Sequence, residues 1–389
     1  MHTNATFSYE DEDGTVRTFA DVQDRASLLA NSTAPGSTIV LAGATTLRVL
    51  EALVALDDRA GAVVLLPDGV EIVPEALADS PHTLWVLYTS GSTGTPKPVA
   101  HSLGSLARGV RPHDGARTWG LVYDPLRLAG MAVVLQALAS GSRLVEARHG
   151  SIASRVDALR AGGVTALSAT PTLWRQILQS GRAEGWMLDR ITLGGEVSDQ
   201  LLLDSLAKTF PAARVTHIFA ASETGVVFSV GDGREGFPAS YLTTAPRGIG
   251  VQVREGVLWV HSPGSALADD DGFVTTDDAV DVREDRVLFA GRLSGMANVG
   301  GTKVFPEQVE RVIREHPAVA DVVVTARKNP FSGQILVAEV EPVHGVSIET
   351  LAKDLRVWSA KRMTTPQVPA KFTIVPELAR SAAGKVVRS

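Results

Sequence analysis

The chain has 389 residues, 44% of them hydrophobic and 21% charged, with a formal net charge of −6. An isoelectric point near 5.9 without any basic block excludes a general nucleic-acid or membrane-surface binder and leaves small molecules as the expected partners. The absence of cysteine excludes disulfides, a thiolate nucleophile and thiolate metal ligands, and no apolar run approaches the ~18 residues of a membrane span. The start of the chain, Met1-His2-Thr3-Asn4 followed by Glu10-Asp11-Glu12-Asp13, lacks the cationic and apolar stretches of a signal peptide, so a cytoplasmic location is expected.

In chain order, Ser37–Gly43 reads as a strand and Thr46–Leu56 as a helix with Leu47, Leu50, Leu53 and Val54 on one face; Gly61–Pro67 reads as a second strand. Leu84–Tyr88 is a short apolar strand, and further strands are expected at Thr118–Val122, Ser142–Glu146, Ala166–Ala169, Arg190–Thr192 and Val215–Phe219, with helices between them. This alternation predicts an α/β fold of doubly wound parallel sheets. From 248 to 290 the pattern changes to short β segments broken by Gly and Asp turns, which predicts a small distorted β-barrel. The polar, small-residue stretch Leu293–Asn298 suits a hinge. Beyond it come a helix at Pro306–His316, strands at Asp321–Ala326 and Gln334–Glu341, a helix at Ile348–Met363 and a strand at Lys371–Val375. The expected division is a large N-terminal domain over 1–292 and a small, mobile α+β C-terminal domain over 293–389.

The most informative segment follows the strand at 84–88. Thr89-Ser90-Gly91-Ser92-Thr93-Gly94-Thr95-Pro96-Lys97 is a glycine- and hydroxyl-rich loop with one cation. Gly91 and Gly94 allow backbone amides to turn inward, Thr89, Ser90, Ser92 and Thr93 add donors, and Lys97 adds charge, so the loop suits a nucleotide triphosphate. It is not the common P-loop, which needs four residues between its glycines and a Ser or Thr after the Lys. Here two residues separate the glycines and Pro98 follows Lys97.

This loop resembles the phosphate loop of the adenylate-forming superfamily of acyl-CoA synthetases, peptide-synthetase adenylation domains and luciferases. Counterparts of the superfamily's other signatures follow in the expected order. Phe219-Ala220-Ala221-Ser222-Glu223-Thr224 resembles its aromatic-Gly-x-Thr-Glu motif, which implies that Glu223 coordinates Mg²⁺ on the triphosphate, Ser222 contacts the acyl-phosphate region and Phe219 stacks on adenine. Phe219 stands where Tyr is usual and Ala220 where Gly is usual. Thr275-Thr276-Asp277-Asp278 resembles the segment whose Asp accepts both ribose hydroxyls, a task that suits the two oxygens of a carboxylate, with Arg292 approaching the same sugar. Gly194-Gly195-Glu196 resembles the loop between the adenine and acyl pockets. Gly300 and Gly301, in Val299-Gly300-Gly301-Thr302-Lys303-Val304, resemble the lining of the thiol path, and Lys385, in Ala382-Ala383-Gly384-Lys385, resembles the lysine that bridges the substrate carboxylate and α-phosphate.

The resemblance implies ATP-dependent activation of a small-molecule carboxylic acid to an acyl-AMP with release of pyrophosphate. Transfer to a thiol follows, with ATP, Mg²⁺ and CoA as cofactors and an aryl or small polar acid favoured. The early position of the phosphate loop implies a shortened first lobe, as in compact o-succinylbenzoate-CoA ligases. Ser294 replaces the usual hinge acid and Asn298 the usual lysine, which leaves open delivery to a carrier protein or to a nitrogen or oxygen nucleophile; a non-catalytic nucleotide-binding relative is a remote alternative, against which Glu223, Asp277, Arg292 and Lys385 together weigh. In Tyr123-Asp124-Pro125-Leu126-Arg127-Leu128-Ala129-Gly130 the family's acyl-pocket His is absent, and Arg127 is either a clamp for a second polar group or a solvated cation. Gly130, Thr170, Gly194 and Ala221 complete the expected acyl pocket, and Trp174 is expected in the core.

Overall fold

Short apolar strands and helices alternate through the first part of the chain. The computed structural model describes residues 6–71, 74, 80–88, 96–112, 117–221, 225–244, 248–262, 268–380, 386 and 388. In order, these form β1 (Ser8–Glu10), β2 (Val16–Thr18), α1 (Phe19–Ser32), β3 (Thr38–Ala42), α2 (Thr46–Ala55), β4 (Ala62–Leu66), β5 (Leu84–Tyr88), β6 (Pro98–His101) and α3 (Leu103–Leu106). There follow β7 (Thr118–Leu121), α4 (Leu128–Ser140), β8 (Arg143–Glu146), α5 (Ile152–Ala161), β9 (Ala166–Ala169), α6 (Pro171–Gln179), β10 (Arg190–Gly194), α7 (Gln200–Thr209), β11 (Arg214–Ala221) and β12 (Gly225–Val230).

The chain divides into two compact units. The first takes Met1–Ala169, Arg182–Gly195 and Ala207–Gly231, and the second takes Thr170–Gly181, Glu196–Leu206 and Asp232–Ser389. The first unit holds an eight-stranded sheet ordered β12-β11-β10-β9-β7-β8-β1-β2 and a four-stranded sheet ordered β3-β4-β5-β6. Interior strands run parallel, while β2, β6 and β12 are antiparallel edges. All five residues of β4 are buried, as expected for a strand covered on both faces. Phe7, Trp85, Leu121 and Leu135 share one core with Val49, Leu50 and Leu53 of α2. Helix starts are capped from the sequence: Thr18 and Asp21 form a capping box on α1, and Thr45 and Ser151 cap α2 and α5.

In the second unit, β13 (Phe237–Pro238), β14 (Val251–Arg254), β15 (Val257–His261), β16 (Phe273–Arg283) and β17 (Arg286–Arg292) form a five-stranded antiparallel sheet ordered β13-β17-β16-β15-β14. The expected barrel segment supplies four of these strands, β14 to β17, with register shifts at Val257/Trp259 and Ala279/Val280. The hinge-like stretch makes one 3₁₀ turn at Leu293–Gly295 and then enters β18 (Ala297–Val299). β19 (Thr302–Val304), α8 (Pro306–Arg314), β20 (Val319–Asn329), β21 (Gly333–Pro342), α9 (Leu351–Ala360) and β22 (Lys371–Ile374) complete an α+β layer on its own core of Val309, Ile313, Val322, Val324, Leu336 and Leu355.

Candidate active site

In the first unit, β5 and β6 pair so that Tyr88 faces Pro98, and the loop between them leaves and re-enters the sheet at neighbouring positions. A proline on the edge strand β6 suits that place, because an edge tolerates a missing donor. Lys97 is exposed at the foot of the loop. Thr89, Ser90, Gly91, Ser92, Thr93 and Gly94 lie outside the described residues.

The parallel strands β10 and β11 end side by side, with Gly194 opposite Ile218 and the Gly195 backbone following. The ladder between β11 and β12 shifts register between Phe219 and Ala220. Such a bulge re-aims the residues that follow, as it does beside many active sites. Phe219 stacks on Phe228, with ring centroids 5.1 Å apart and planes at 17°, so one face of the expected adenine platform is braced from below. Ser222 and Glu223, and the side chain of Ala221, lie outside the described residues.

β7 has β8 on one side and β9 on the other. The chain runs from β7 to β8 and then crosses back to β9, so the direction of winding reverses at the carboxyl end of β7, where open α/β sheets form ligand crevices. Asp124-Pro125-Leu126-Arg127 occupies that end as a tight turn, with the Leu126 N–H donating to Asp124 Oδ1 at 2.9 Å and the Arg127 N–H to the Asp124 carbonyl at 3.1 Å. Arg127 is the N-cap of α4 and supplies no side-chain cap, so its guanidinium stands at the positive end of a 13-residue helix. Its Nε is 3.7 Å from Asp124 Oδ2, beyond hydrogen-bond reach. Gly130 is required by packing: a Cβ there would lie 2.1 Å from the Asp124 carbonyl oxygen.

In the second unit, Thr170 and Glu196 meet at one helix start. The Thr170 hydroxyl accepts from the Leu173 N–H at 3.1 Å, and Glu196 Oε2 accepts from the Thr172 N–H at 2.9 Å. Both residues are thereby engaged in capping α6, and Trp174 behind them is fully buried. The residue types gave a signal for this, since Thr before Pro is an N-cap pattern, but Glu196 arrives from a distant loop.

Asp277 sits within β16 at φ +63°, a left-handed conformation that non-glycine residues rarely adopt. Ser294 approaches it from the turn after β17: both the N–H, at 3.3 Å, and the hydroxyl of Ser294 donate to Asp277 Oδ2. Arg292 pairs through Nε with Oδ1 of the neighbouring Asp278 at 3.1 Å. Burial pushes the Asp278 carboxyl above the ordinary range, an effect that the Arg292 charge offsets only in part. The Ser294 contact was not foreseen from sequence, where Ser294 registered only as a missing acid.

Gly300 and Gly301 have φ of +58° and +85° and join Val299 to Thr302, which are cross-strand partners, so they form a two-residue hairpin turn that needs glycine-like freedom at both positions. Beside them lies a cleft of about 620 Å³ lined by Asn298, Gly301, Lys328, Asn329, Ser332 and Gln334 among others. The C-terminal tail is held at two points. Arg380 pairs with Glu341 at 2.8 Å and bridges Val386, and Arg388 pairs with Glu310 at 3.0 Å. Lys385, between these anchors in sequence, lies outside the described residues.

Residues 67–257 match the model of the AMP-binding enzyme family, and residues 308–385 match that of the AMP-binding enzyme C-terminal domain. The chain is 26% identical over 362 residues to the 2-succinylbenzoate–CoA ligase of Geobacillus kaustophilus, covering 84% of this chain and 72% of that protein. It is 25% identical over 356 residues to the fatty acid–[acyl-carrier-protein] ligase ScoC of Streptomyces coeruleorubidus, covering 78% of this chain and 65% of that one. Among solved structures, ATP-bound MatB of Rhodopseudomonas palustris superimposes with a TM-score of 0.78 at 19% identity, over 97% of this chain and 93% of that one.

Proposed function

This chain belongs to the adenylate-forming family of AMP-binding enzymes, the acid–CoA and acid–carrier-protein ligases, and we propose that it activates an aryl or small polar carboxylic acid bearing a second polar group and passes it to CoA. In the first step a carboxylate oxygen bonds to the α-phosphorus of ATP, the bond to the bridging oxygen breaks, and pyrophosphate leaves with the electron pair. In the second, a thiolate attacks the acyl carbon and AMP leaves, taking the carboxylate-derived oxygen with it.

The roles follow from charge and geometry. Asp277 accepts the ribose hydroxyls, with Arg292 beside it, and Phe219, braced by Phe228, carries the adenine. Gly194, Gly195 and the capped segment at Glu196 lie against the nucleotide and acyl group as backbone. The loop Thr89–Gly94 with Lys97 binds the phosphates; Lys385 neutralises charge on the reacting phosphoryl group; Ser222 contacts the same region. Glu223 is a hard-oxygen donor of the kind magnesium takes, and the ion when bound would neutralise triphosphate charge there.

The observation that carries the choice of acid is Arg127: a guanidinium at the N-terminus of α4, which its side chain does not cap, at the winding reversal, in an ion pair with Asp124 at 3.7 Å that makes no hydrogen bond. Helix end and cation both favour an anionic or strongly polar group on the substrate. Gly130 and Ala221, in the same unit as Arg127, complete that pocket under this proposal. CoA as acceptor is supported by the cleft beside Gly300 and Gly301, with Lys328 on its rim. A carrier protein is the second reading, favoured by Phe331, which is 97% exposed next to the same cleft. Residues 293–389, under this proposal, act as a lid that turns about the 292–295 segment between the two steps.

The test is ATP–pyrophosphate exchange over a panel of aryl, dicarboxylic and long-chain acids, followed by CoA consumption and by loading of a phosphopantetheinylated carrier protein. Exchange with aryl or dicarboxylic acids and CoA consumption support the proposal. Exchange with long-chain acids alone, or no exchange with any acid, would overturn it.

A further inference from the structure

The carboxylate assigned to ribose does not stand alone. Residue 294 directs two donors, its backbone N–H and its hydroxyl, onto the single oxygen Oδ2 of Asp277. Among the described residues Oδ1 receives no hydrogen bond. A carboxylate gripped at one oxygen and presented at the other is a pre-aimed acceptor, because rotation about its terminal torsion is removed before any ligand arrives.

The backbone explains how the two residues meet. The register of β16 and β17 sets Asp278 opposite Arg292, so Asp277 lies beside the first residues after β17. The left-handed φ of Asp277 swings its side chain off the alternation of the strand, and Leu293–Gly295 closes a 3₁₀ turn that brings residue 294 back over it. Strained conformations of this kind persist where the surroundings over-determine them, and they cluster at functional sites. An acid at position 294 would bring no hydroxyl donor and would set a second negative charge against Asp277. A serine therefore fits this partner chemically.

We infer that Ser294 is a positioning residue for the nucleotide: it aims the Asp277 carboxylate at the ribose hydroxyls and makes their recognition depend on the conformation of the 293–295 turn. The inference rests on the proposed assignment of Asp277 to ribose. Its consequence is that movement of the turn loosens the grip on the sugar.

The experiment measures dissociation constants of ATP and of 3′-deoxy-ATP by calorimetry, with no acid present, for the parent protein and for Ser294→Ala, Ser294→Thr and Asp277→Ala. The informative quantity is the ratio of the two constants, since a merely structural effect of a substitution weakens both nucleotides alike. The parent is expected to prefer ATP, Ser294→Ala to lose at least about five-fold of that preference, consistent with one charge-assisted hydrogen bond, and Ser294→Thr to retain it because the hydroxyl is kept. An unchanged ratio in Ser294→Ala, with a collapsed one in Asp277→Ala, overturns the role of Ser294 and leaves the ribose assignment standing. A parent that does not discriminate, or an Asp277→Ala variant that discriminates as the parent does, overturns the ribose assignment and the inference with it. Loss of the ratio in Ser294→Thr as well as Ser294→Ala shows that the hydroxyl is not the operative group and overturns the inference alone.

Discussion

Arg314 Nε lies 2.9 Å from Asp321 Oδ1 in a pair whose carboxylate is 2% exposed, and the same guanidinium reaches Glu310 Oε2 at 3.3 Å. A second pair, Arg175 with Asp199, stands close enough for its charges to be felt by the first, and Gln179 Nε2 donates to the Ala320 carbonyl at 2.8 Å. The pair with Asp321 fastens α8 to the start of β20 by buried charge. Removing Asp321 leaves the buried Arg314 with Glu310 and only part of its countercharge, so Asp321→Ala is expected to lower unfolding stability by about 2–3 kcal/mol. Urea titration checks this; a loss below about 1 kcal/mol would show the pair to be solvated.

The same pair predicts a pH dependence. Burial by itself would raise the Asp321 carboxyl, but the charges of Arg314 and Arg175 and the bonds from Arg314 and the Val322 N–H bring it below its ordinary 3.8. The folded state therefore binds this proton more weakly than the unfolded chain does, and the stabilisation, complete above 3.8, is lost as pH falls through the folded value. Asp321→Asn should give a flatter stability curve between about pH 5 and 3 than the parent. Equal slopes would remove Asp321 from the acid response.

Arg127→Leu should shift acid preference from dicarboxylic or otherwise polar substrates towards neutral ones, at a cost of about 1–3 kcal/mol in kcat/KM for the polar acid, because the substrate group loses a charge-assisted hydrogen bond. The profile of pyrophosphate exchange across the panel measures it. An unaltered profile would make Arg127 a solvated cation.

The two half-reactions should separate genetically. Lys385→Ala is expected to lose adenylation by about 3–4 kcal/mol or more in transition-state stabilisation, yet still to form thioester from supplied acyl-AMP. Gly301→Asn should do the reverse, since asparagine tolerates the positive φ of the hairpin turn while its side chain obstructs the adjoining cleft. Rapid-quench assays of each step decide it; loss of both steps in either variant would contradict a lid that presents different residues in turn.

Much of the architecture was legible because its causes are local. The strand Ala166–Ala169 appears at the expected residues, the helix expected at Thr46–Leu56 spans Thr46–Ala55, and Trp174 is in the core. Departures trace to long-range pairing. Arg190–Thr192 extends to Gly194 because parallel neighbours β9 and β11 continue the ladder, and the segment from 248 to 290 supplies four strands of a sheet whose fifth, Phe237–Pro238, joins from outside it through registers that composition does not encode. The motifs marked Asp277 and the loss of the hinge acid at Ser294 but not the contact between them, which depends on a hairpin register and a left-handed backbone. Likewise Glu196 read as a loop residue, while its bond to the Thr172 N–H needs two distant segments to meet.

The central claim, that a carboxylic acid is activated as its adenylate, is tested most directly by following oxygen. An acid accepted in the exchange assay is supplied with its carboxylate labelled with ¹⁸O, together with ATP and the acceptor thiol, and the AMP released is analysed by mass spectrometry. Attack of the carboxylate on the α-phosphorus places one labelled oxygen in AMP for each turnover, with the thioester retaining the other. AMP without label, or ADP and labelled inorganic phosphate in its place, would contradict the account.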